Sequence, residues 1–181
     1  MDKKRFSGLL AILLTLLFPL DLCAQKEQRD PLTAAQAEEI REAAVVPALR
    51  VQLYVKFLNQ HAETLRALAR RAKTTARAQR IRDEILDFTA LMDELASNLD
   101  QYGERKADLR QGLKSLNESS SHWSEALLAI PAEPIFDIAR KESLESLHDL
   151  AEQSSTLAKE QEEYFRVHKD LKDQQRAEPR E

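Results

Sequence analysis

The residues best spaced for metal chemistry are Glu145 and His148, which stand three positions apart. On a helix this Glu-x-x-His spacing places both side chains on one face, as in di-metal helical bundles. Such a centre needs a second Glu-x-x-His pair, and the sequence contains only one. Glu145 and His148 are therefore weak candidate metal ligands, and a metal- or ligand-binding helical bundle is an alternative function of a different class.

Motifs for other catalytic or cofactor chemistry do not occur in the sequence. There is no Cys-x-x-Cys-His for covalent haem, no glycine-rich phosphate loop, no Gly-x-Ser-x-Gly elbow and no His-Glu-x-x-His zinc pair. We therefore predict that the protein is not an enzyme and needs no cofactor.

The densest charged feature is a basic run with no acidic residue from Thr64 through Arg82. Cations that end one helix complement its dipole, whereas cations that begin the next oppose it. Two interpretations stay open: a solvated end balanced by acids on the last helix, or an end that binds lipid headgroups, polyanions or an acidic protein. The candidate anion- or partner-binding residues are Arg70, Arg71, Lys73, Arg77, Arg80 and Arg82.

Nucleic acid is an unfavourable partner for this chain. Its formal net charge is −4, and no aromatic residues interleave the basic run. The partners that we expect instead are a protein or an anionic surface of the cell envelope.

Residues 1–24 have the order of a secretory signal peptide. A basic start over residues 3–5 precedes an aliphatic segment from Leu9 to Leu17, and Pro19 precedes a small residue at Ala24. We predict cleavage after Ala24, which leaves no transmembrane span and places the chain in the periplasm or outside the cell. The segment is too short and too interrupted for a membrane anchor of about 20 residues.

Two other fates of this segment stay open. Cys23, the single cysteine, would carry a lipid if the segment were a lipoprotein signal, although the bulky Leu22 before it disfavours this. Alternatively, the segment is retained. Each fate places the rest of the chain outside the cytoplasm.

Beyond the signal, strong helix formers dominate and no strand-like alternation occurs, so we predict an all-α protein. A leader at 25–32 precedes Thr33, which forms a capping box with Gln36. Pro47 should kink or restart the first helix. A stripe that runs from Leu49 to Ala72 should be buried, and residues 73–75 should form a turn.

Apolar residues alternate at spacings of four and three from Ile81 to Ile130, and only Lys106 and Ser120 interrupt them. This register favours one bent helix with coiled-coil-like packing. A break between Gly103 and Gly112 is the alternative, because each glycine weakens a helix by about 1 kcal/mol.

Pro131 and Pro134 separate this element from the last helix, whose stripe continues to Leu171. We therefore predict an elongated antiparallel helical bundle of three long helices, or four if the middle one is broken. It forms a single domain over 33–171, followed by a disordered charged tail at 172–181.

The segment Leu32-Thr33-Ala34-Ala35-Gln36 resembles the Leu-Thr-x-x-Gln motif of small helical periplasmic chaperones and stress sensors of the Spy type. Those proteins usually carry the motif twice, and this chain has one copy. The resemblance implies a chaperone or stress-sensor role as an alternative. Our main expectation is an exported, non-enzymatic interaction or scaffold protein of the cell envelope, which could form a homodimer.

Overall fold

Five α-helices follow one another in the computed structural model, which describes residues 30–168. About 83% of this part is helical, and it contains no strand. The helices are α1 (Ala34–Glu42), α2 (Pro47–Ala69), α3 (Thr75–Glu104), α4 (Arg110–Leu128) and α5 (Asp137–Val167), with a 3₁₀ turn at Ala43–Val45. The all-α prediction is confirmed. The predicted signal peptide and charged tail lie outside the described residues.

Helices α2 to α5 form a four-helix bundle. Helix α2 packs against α3 and α4, and α5 packs against the same two helices. The ion pair between Arg66 of α2 and Glu125 of α4 joins the carboxyl halves of both helices, so these neighbours run parallel. The hydrogen bond between Tyr54 and Glu94 joins the start of α2 to the second half of α3, which makes this pair antiparallel.

The bundle therefore has two ends with different connections. At the first, which we call the tip, the turn between α2 and α3 lies beside the loop between α4 and α5. At the second, which we call the elbow end, the 3₁₀ turn meets the loop between α3 and α4 and the last turns of α5. Pro47 occupies the first turn of α2 and restarts the helix there, as predicted.

The prediction of three long helices with a continuous middle helix is wrong. Helix α3 ends at Glu104 and α4 begins at Arg110, which is the alternative with four long helices. Lys106 adopts a left-handed conformation with φ of 54°, and it lies in the loop where the chain reverses. The Asp108 carboxylate then accepts a hydrogen bond from the backbone N–H of Arg110 at 3.2 Å.

The heptad spacing of the apolar residues continues through this reversal because the loop has the length that preserves it. Tyr102 and Leu109 are one heptad apart, and both are buried although they belong to opposite sides of the loop. Gln161 of α5 holds the loop in place: it donates to the carbonyl of Ala107 at 2.6 Å and accepts from the N–H of Leu109 at 2.8 Å. An uninterrupted heptad pattern therefore does not require an uninterrupted helix.

The core follows the predicted stripe closely in α3 and α4 and less closely in α2. The apolar stripe residues from Ile81 to Ile130 are buried. In α2, however, Leu49 is 45% exposed, while Val51 and Leu58 are fully buried. Helix α2 contacts two long neighbours, so its buried face is wider than a single stripe and is rotated from the predicted one.

Over residues 30–168, no helix is both long and apolar enough to span a membrane.

Candidate functional site at the tip of the bundle

The turn between α2 and α3 forms one part of the tip. Helix α2 ends at Ala69, and the backbone N–H of Arg71 still reaches the carbonyl of Leu68 at 3.1 Å. Thr74 then caps α3, because its hydroxyl accepts a hydrogen bond from the N–H of Arg77 at 3.1 Å. The turn is therefore fixed at both sides and presents residues 70–73 to solvent.

Arg77 is the anchor of the tip, with only 4% of the residue exposed. Its guanidinium donates to the carbonyls of Leu68 and Ala69 at 2.9 and 3.2 Å, in the last turn of α2, where carbonyls lack the usual i+4 partner within the helix. It also pairs with Glu133, in the loop between α4 and α5, at 2.8 Å. One side chain thus ties together both connections of the tip.

We expected from the sequence that Arg77 would belong to an exposed anion-binding surface. Its burial shows that it does not. Its charge begins α3, where it opposes the dipole, but the side chain turns back to the negative end of α2 and favours that dipole. The conflict on which that expectation rested disappears for this residue.

The other five predicted cations are exposed: Arg70, Arg71, Lys73, Arg80 and Arg82, which we call the basic tip. Within residues 30–168, no carboxylate oxygen lies within 4.0 Å of any of their charged nitrogens. Arg66, at the start of the run, differs because it pairs with Glu63 and Glu125. Five positive charges are therefore exposed in the turn and in the first eight residues of α3.

Three aliphatic side chains that sequence reasoning missed are exposed at the same end: Leu128, Ile135 and Ile138, which we call the apolar rim. Their exposed fractions are 61%, 42% and 71%. Leu128 ends α4, and the other two flank the buried Phe136 where α5 begins. Their one sequence signal is that all three lie outside the heptad register beside Pro131 and Pro134. Only the fold brings them to the basic turn.

The weak metal candidates, Glu145 and His148, are both exposed on α5. Among the residues that the structure describes, no group of three histidine, cysteine, aspartate or glutamate side chains is arranged to hold a metal ion. The two residues thus lack a third ligand within the described part of the bundle.

A polar cluster joins the buried Tyr54 and Asn98 to the exposed Glu94, towards the elbow end. The Tyr54 hydroxyl donates to the Glu94 carboxylate at 2.5 Å and accepts from the Asn98 amide at 3.3 Å. Burial, and then the hydrogen bond to Glu94, raises the pKa of Tyr54 to about 12. The members of the cluster hydrogen-bond to one another, so the cluster serves the packing of α2 against α3.

An open groove lies at the elbow end, along α4 between the start of α2 and the end of α5. Its lining includes Val45, Val46, Arg110 and Lys114, together with the acidic Glu118. Arg110 is bound by Asp108 at 2.7 Å and stacks on Phe165, and Lys114 lies near Glu118. Charges of both signs compensate one another here, so the groove has no excess of one sign to select a ligand.

The Leu-Thr-x-x-Gln segment has a local structural role. The Thr33 hydroxyl accepts from the N–H of Gln36 at 3.3 Å, and the Gln36 side chain accepts from the N–H of Thr33 at 2.8 Å. This capping box begins α1. Comparisons with protein-family models, with curated proteins and with solved structures found no match to the chain.

Proposed function

We propose that the protein is an exported, non-enzymatic helical interaction protein of the cell envelope, and that the basic tip binds an anionic partner. The observation that carries this proposal is the set of five exposed cations without a carboxylate partner in the described part of the chain. Unpaired like charges repel one another, so a surface that keeps them together is best explained by an anion outside the chain.

The framework of the tip supports this role because it does not depend on these five side chains. Arg77, Thr74 and Glu133 hold the turn and the neighbouring loop. The basic tip can therefore change its charge without a change in fold. That separation is typical of a binding surface on a rigid scaffold.

The proposal is tested with dextran sulfate, a soluble polyanion, and the exported protein purified after processing. In the tip variant, Arg70, Arg71, Lys73, Arg80 and Arg82 are all changed to Gln. The matched control changes five exposed cations elsewhere to Gln: Arg41, Lys56, Arg105, Lys114 and Lys159. Both variants lose the same net charge.

We expect the wild-type protein and the control to bind at low salt, and the affinity to fall steeply as the Debye length shortens below about 10 Å. The tip variant should bind at least about 100-fold more weakly, since each of five cations contributes about 1 kcal/mol near an anionic surface. Its melting temperature should stay close to that of wild type. Equal losses in both variants would show that net charge acts and the tip does not, which would refute the proposal.

A further inference from the structure

The tip carries both chemical features that a protein needs to bind the surface of a lipid bilayer. Cations attract the phosphates of anionic lipids, and exposed aliphatic side chains enter the boundary between headgroups and acyl chains. The basic tip supplies the first feature and the apolar rim supplies the second. A soluble polyanion would use the cations alone and would leave the apolar rim in water.

The geometry of the tip keeps the two features together. The ion pair between Arg77 and Glu133 joins the basic turn to the loop from which Ile135 projects. Ile130 and Phe136 of that loop are buried, so the core already uses its other large apolar side chains. The exposed Leu128, Ile135 and Ile138 are surplus to the packing of the described bundle.

Charge distinguishes the tip from the elbow end, where aliphatic side chains are exposed as well. Val45, Val46 and Leu49 are 57%, 48% and 45% exposed there. The segments that form the elbow end (34–50, 104–114 and 158–168) contain eight basic and eight acidic residues. The segments that form the tip, with the acids that pair with Arg66 included (63–82 and 125–141), contain nine basic and four acidic residues. Only the tip combines apolar exposure with an excess of positive charge.

We infer that the tip docks end-on onto an anionic lipid surface, with the basic tip on the phosphates and the apolar rim inserted among the headgroups. This inference rests on the proposed function and names its partner as lipid. The bundle would then stand away from the membrane on its tip, without a membrane-spanning segment in its described part.

The test uses vesicles made of equal parts phosphatidylglycerol and phosphatidylcholine, vesicles of phosphatidylcholine alone, and dextran sulfate. The rim variant changes Leu128, Ile135 and Ile138 to Gln. Its matched control changes Val45, Val46 and Leu49 to Gln, which removes three similarly exposed aliphatic side chains from the elbow end. The tip variant and the wild-type protein are measured beside them.

We expect the rim variant to bind the anionic vesicles about 10- to 100-fold more weakly than wild type, because three partly inserted aliphatic side chains no longer leave water. It should bind dextran sulfate as wild type does. The elbow control should match wild type on both probes. The wild-type protein should bind vesicles of phosphatidylcholine alone far more weakly than anionic ones.

A spectroscopic measurement reports insertion independently of affinity. In an Ile138→Trp variant the new indole lies at the tip, and in a Val46→Trp variant it lies at the elbow end, while Trp123 is buried in both. Anionic vesicles should shift the emission of the first variant to shorter wavelength and leave the second unchanged. Each Trp variant carries a single substitution, so this measurement still tests insertion if the three substitutions of the rim variant together disturb the fold.

The two proposals fail in distinguishable ways. If the rim variant binds anionic vesicles as tightly as wild type, and Ile138→Trp shows no shift, lipid docking is refuted. The proposed function still stands in that case, provided that the tip variant loses dextran sulfate. If the tip variant keeps its affinity for both probes, the proposed function itself is wrong.

Discussion

The two ends of the bundle both expose aliphatic side chains but differ in their balance of basic and acidic residues. At the elbow end, cations and acids are equal in number and some of them pair, such as Lys56 with Glu39, Arg110 with Asp108, and Arg166 with Glu163, although other cations there have no carboxylate within 4.0 Å in residues 30–168. At the tip, five cations have no carboxylate partner within residues 30–168. The pairs at the elbow end are exposed or half-exposed, so each contributes little to stability, and the equal number of acids and cations balances the charge there.

Exposed apolar side chains therefore do not by themselves define a binding surface. Val45 and Val46 lie beside Pro47 just as Ile135 lies beside Pro134, so the local chain geometry is similar at the two ends and the surrounding charge is what differs. The apolar rim lies next to uncompensated charge that the turn does not need. Stability and binding should therefore respond to substitutions at different residues, and the following predictions test that separation.

The largest expected effect separates the anchor of the tip from its surface. Arg77→Gln removes a buried cation, leaves Glu133 and the carbonyl of Ala69 without this donor, and removes one of the donors to the carbonyl of Leu68. We expect a loss of about 3 kcal/mol in the free energy of unfolding, since removal of one partner of a buried pair is strongly destabilising. Urea unfolding followed by circular dichroism measures it.

Arg80→Gln is the control, three residues further along the same helix and exposed. We expect its free energy of unfolding to stay within about 0.5 kcal/mol of wild type. If the two variants were equally stable, Arg77 would be a surface residue and the distinction between anchor and surface would be lost.

Much of the fold could be predicted because helix periodicity is a local property. The stripe from Ile81 to Ile130 identified the core of α3 and α4, and Thr33 and Pro47 identified helix starts. The break at Glu104 could not be identified by register, because the loop preserves the heptad spacing. The loop that separates the helices is held by a tertiary contact: Gln161, more than 50 residues away, binds Ala107 and Leu109.

The candidate site was predictable in part for the same reason. A basic run is visible in the sequence, so five of its six predicted residues lie on the exposed surface. The burial of Arg77 involves Glu133, which lies 56 positions further along the chain in the loop between α4 and α5 and reaches the tip only through the tertiary fold. The apolar rim likewise becomes part of the tip through topology and not through any pattern in the sequence.

The second prediction concerns Tyr54, which lies towards the elbow end and whose pKa is raised to about 12. Tyr54 keeps its proton in the folded state up to a pKa of about 12, whereas an unfolded tyrosine loses it near 10. The unfolded state alone therefore releases a proton between these values, so stability falls as the pH rises. The loss should reach about 2 kcal/mol by pH 12.

Tyr54→Phe isolates this effect, because it keeps the ring and removes the titrating hydroxyl. Urea unfolding of both proteins between pH 8 and 12 should show the wild-type free energy falling towards that of the variant by about 2 kcal/mol. Parallel curves would mean that the Tyr54 hydroxyl titrates as in the unfolded chain, and that the cluster with Glu94 and Asn98 is more open than the structure shows.

The substitution with the smallest expected effect, Gly112→Ala, tests whether the elbow end is a tightly packed contact between helices and not a second binding surface. A Cβ at Gly112 would lie 2.7 Å from the Cβ of Val51 and 3.0 Å from the carbonyl oxygen of Ala48, and neither atom can rotate away. Gly112→Ala should therefore lower the free energy of unfolding by about 1–2 kcal/mol, because overpacking exceeds the gain of about 1 kcal/mol in helix propensity.

Gly103→Ala is the control: its Cβ would meet only the flexible end of Leu157 at 3.3 Å, so its stability should equal or slightly exceed that of wild type. Urea unfolding measures both, and neither variant should change vesicle binding. A Gly112→Ala variant that kept full stability but lost vesicle affinity would move the lipid-binding surface to the elbow end, because the two ends would then have exchanged the roles that their charges indicate.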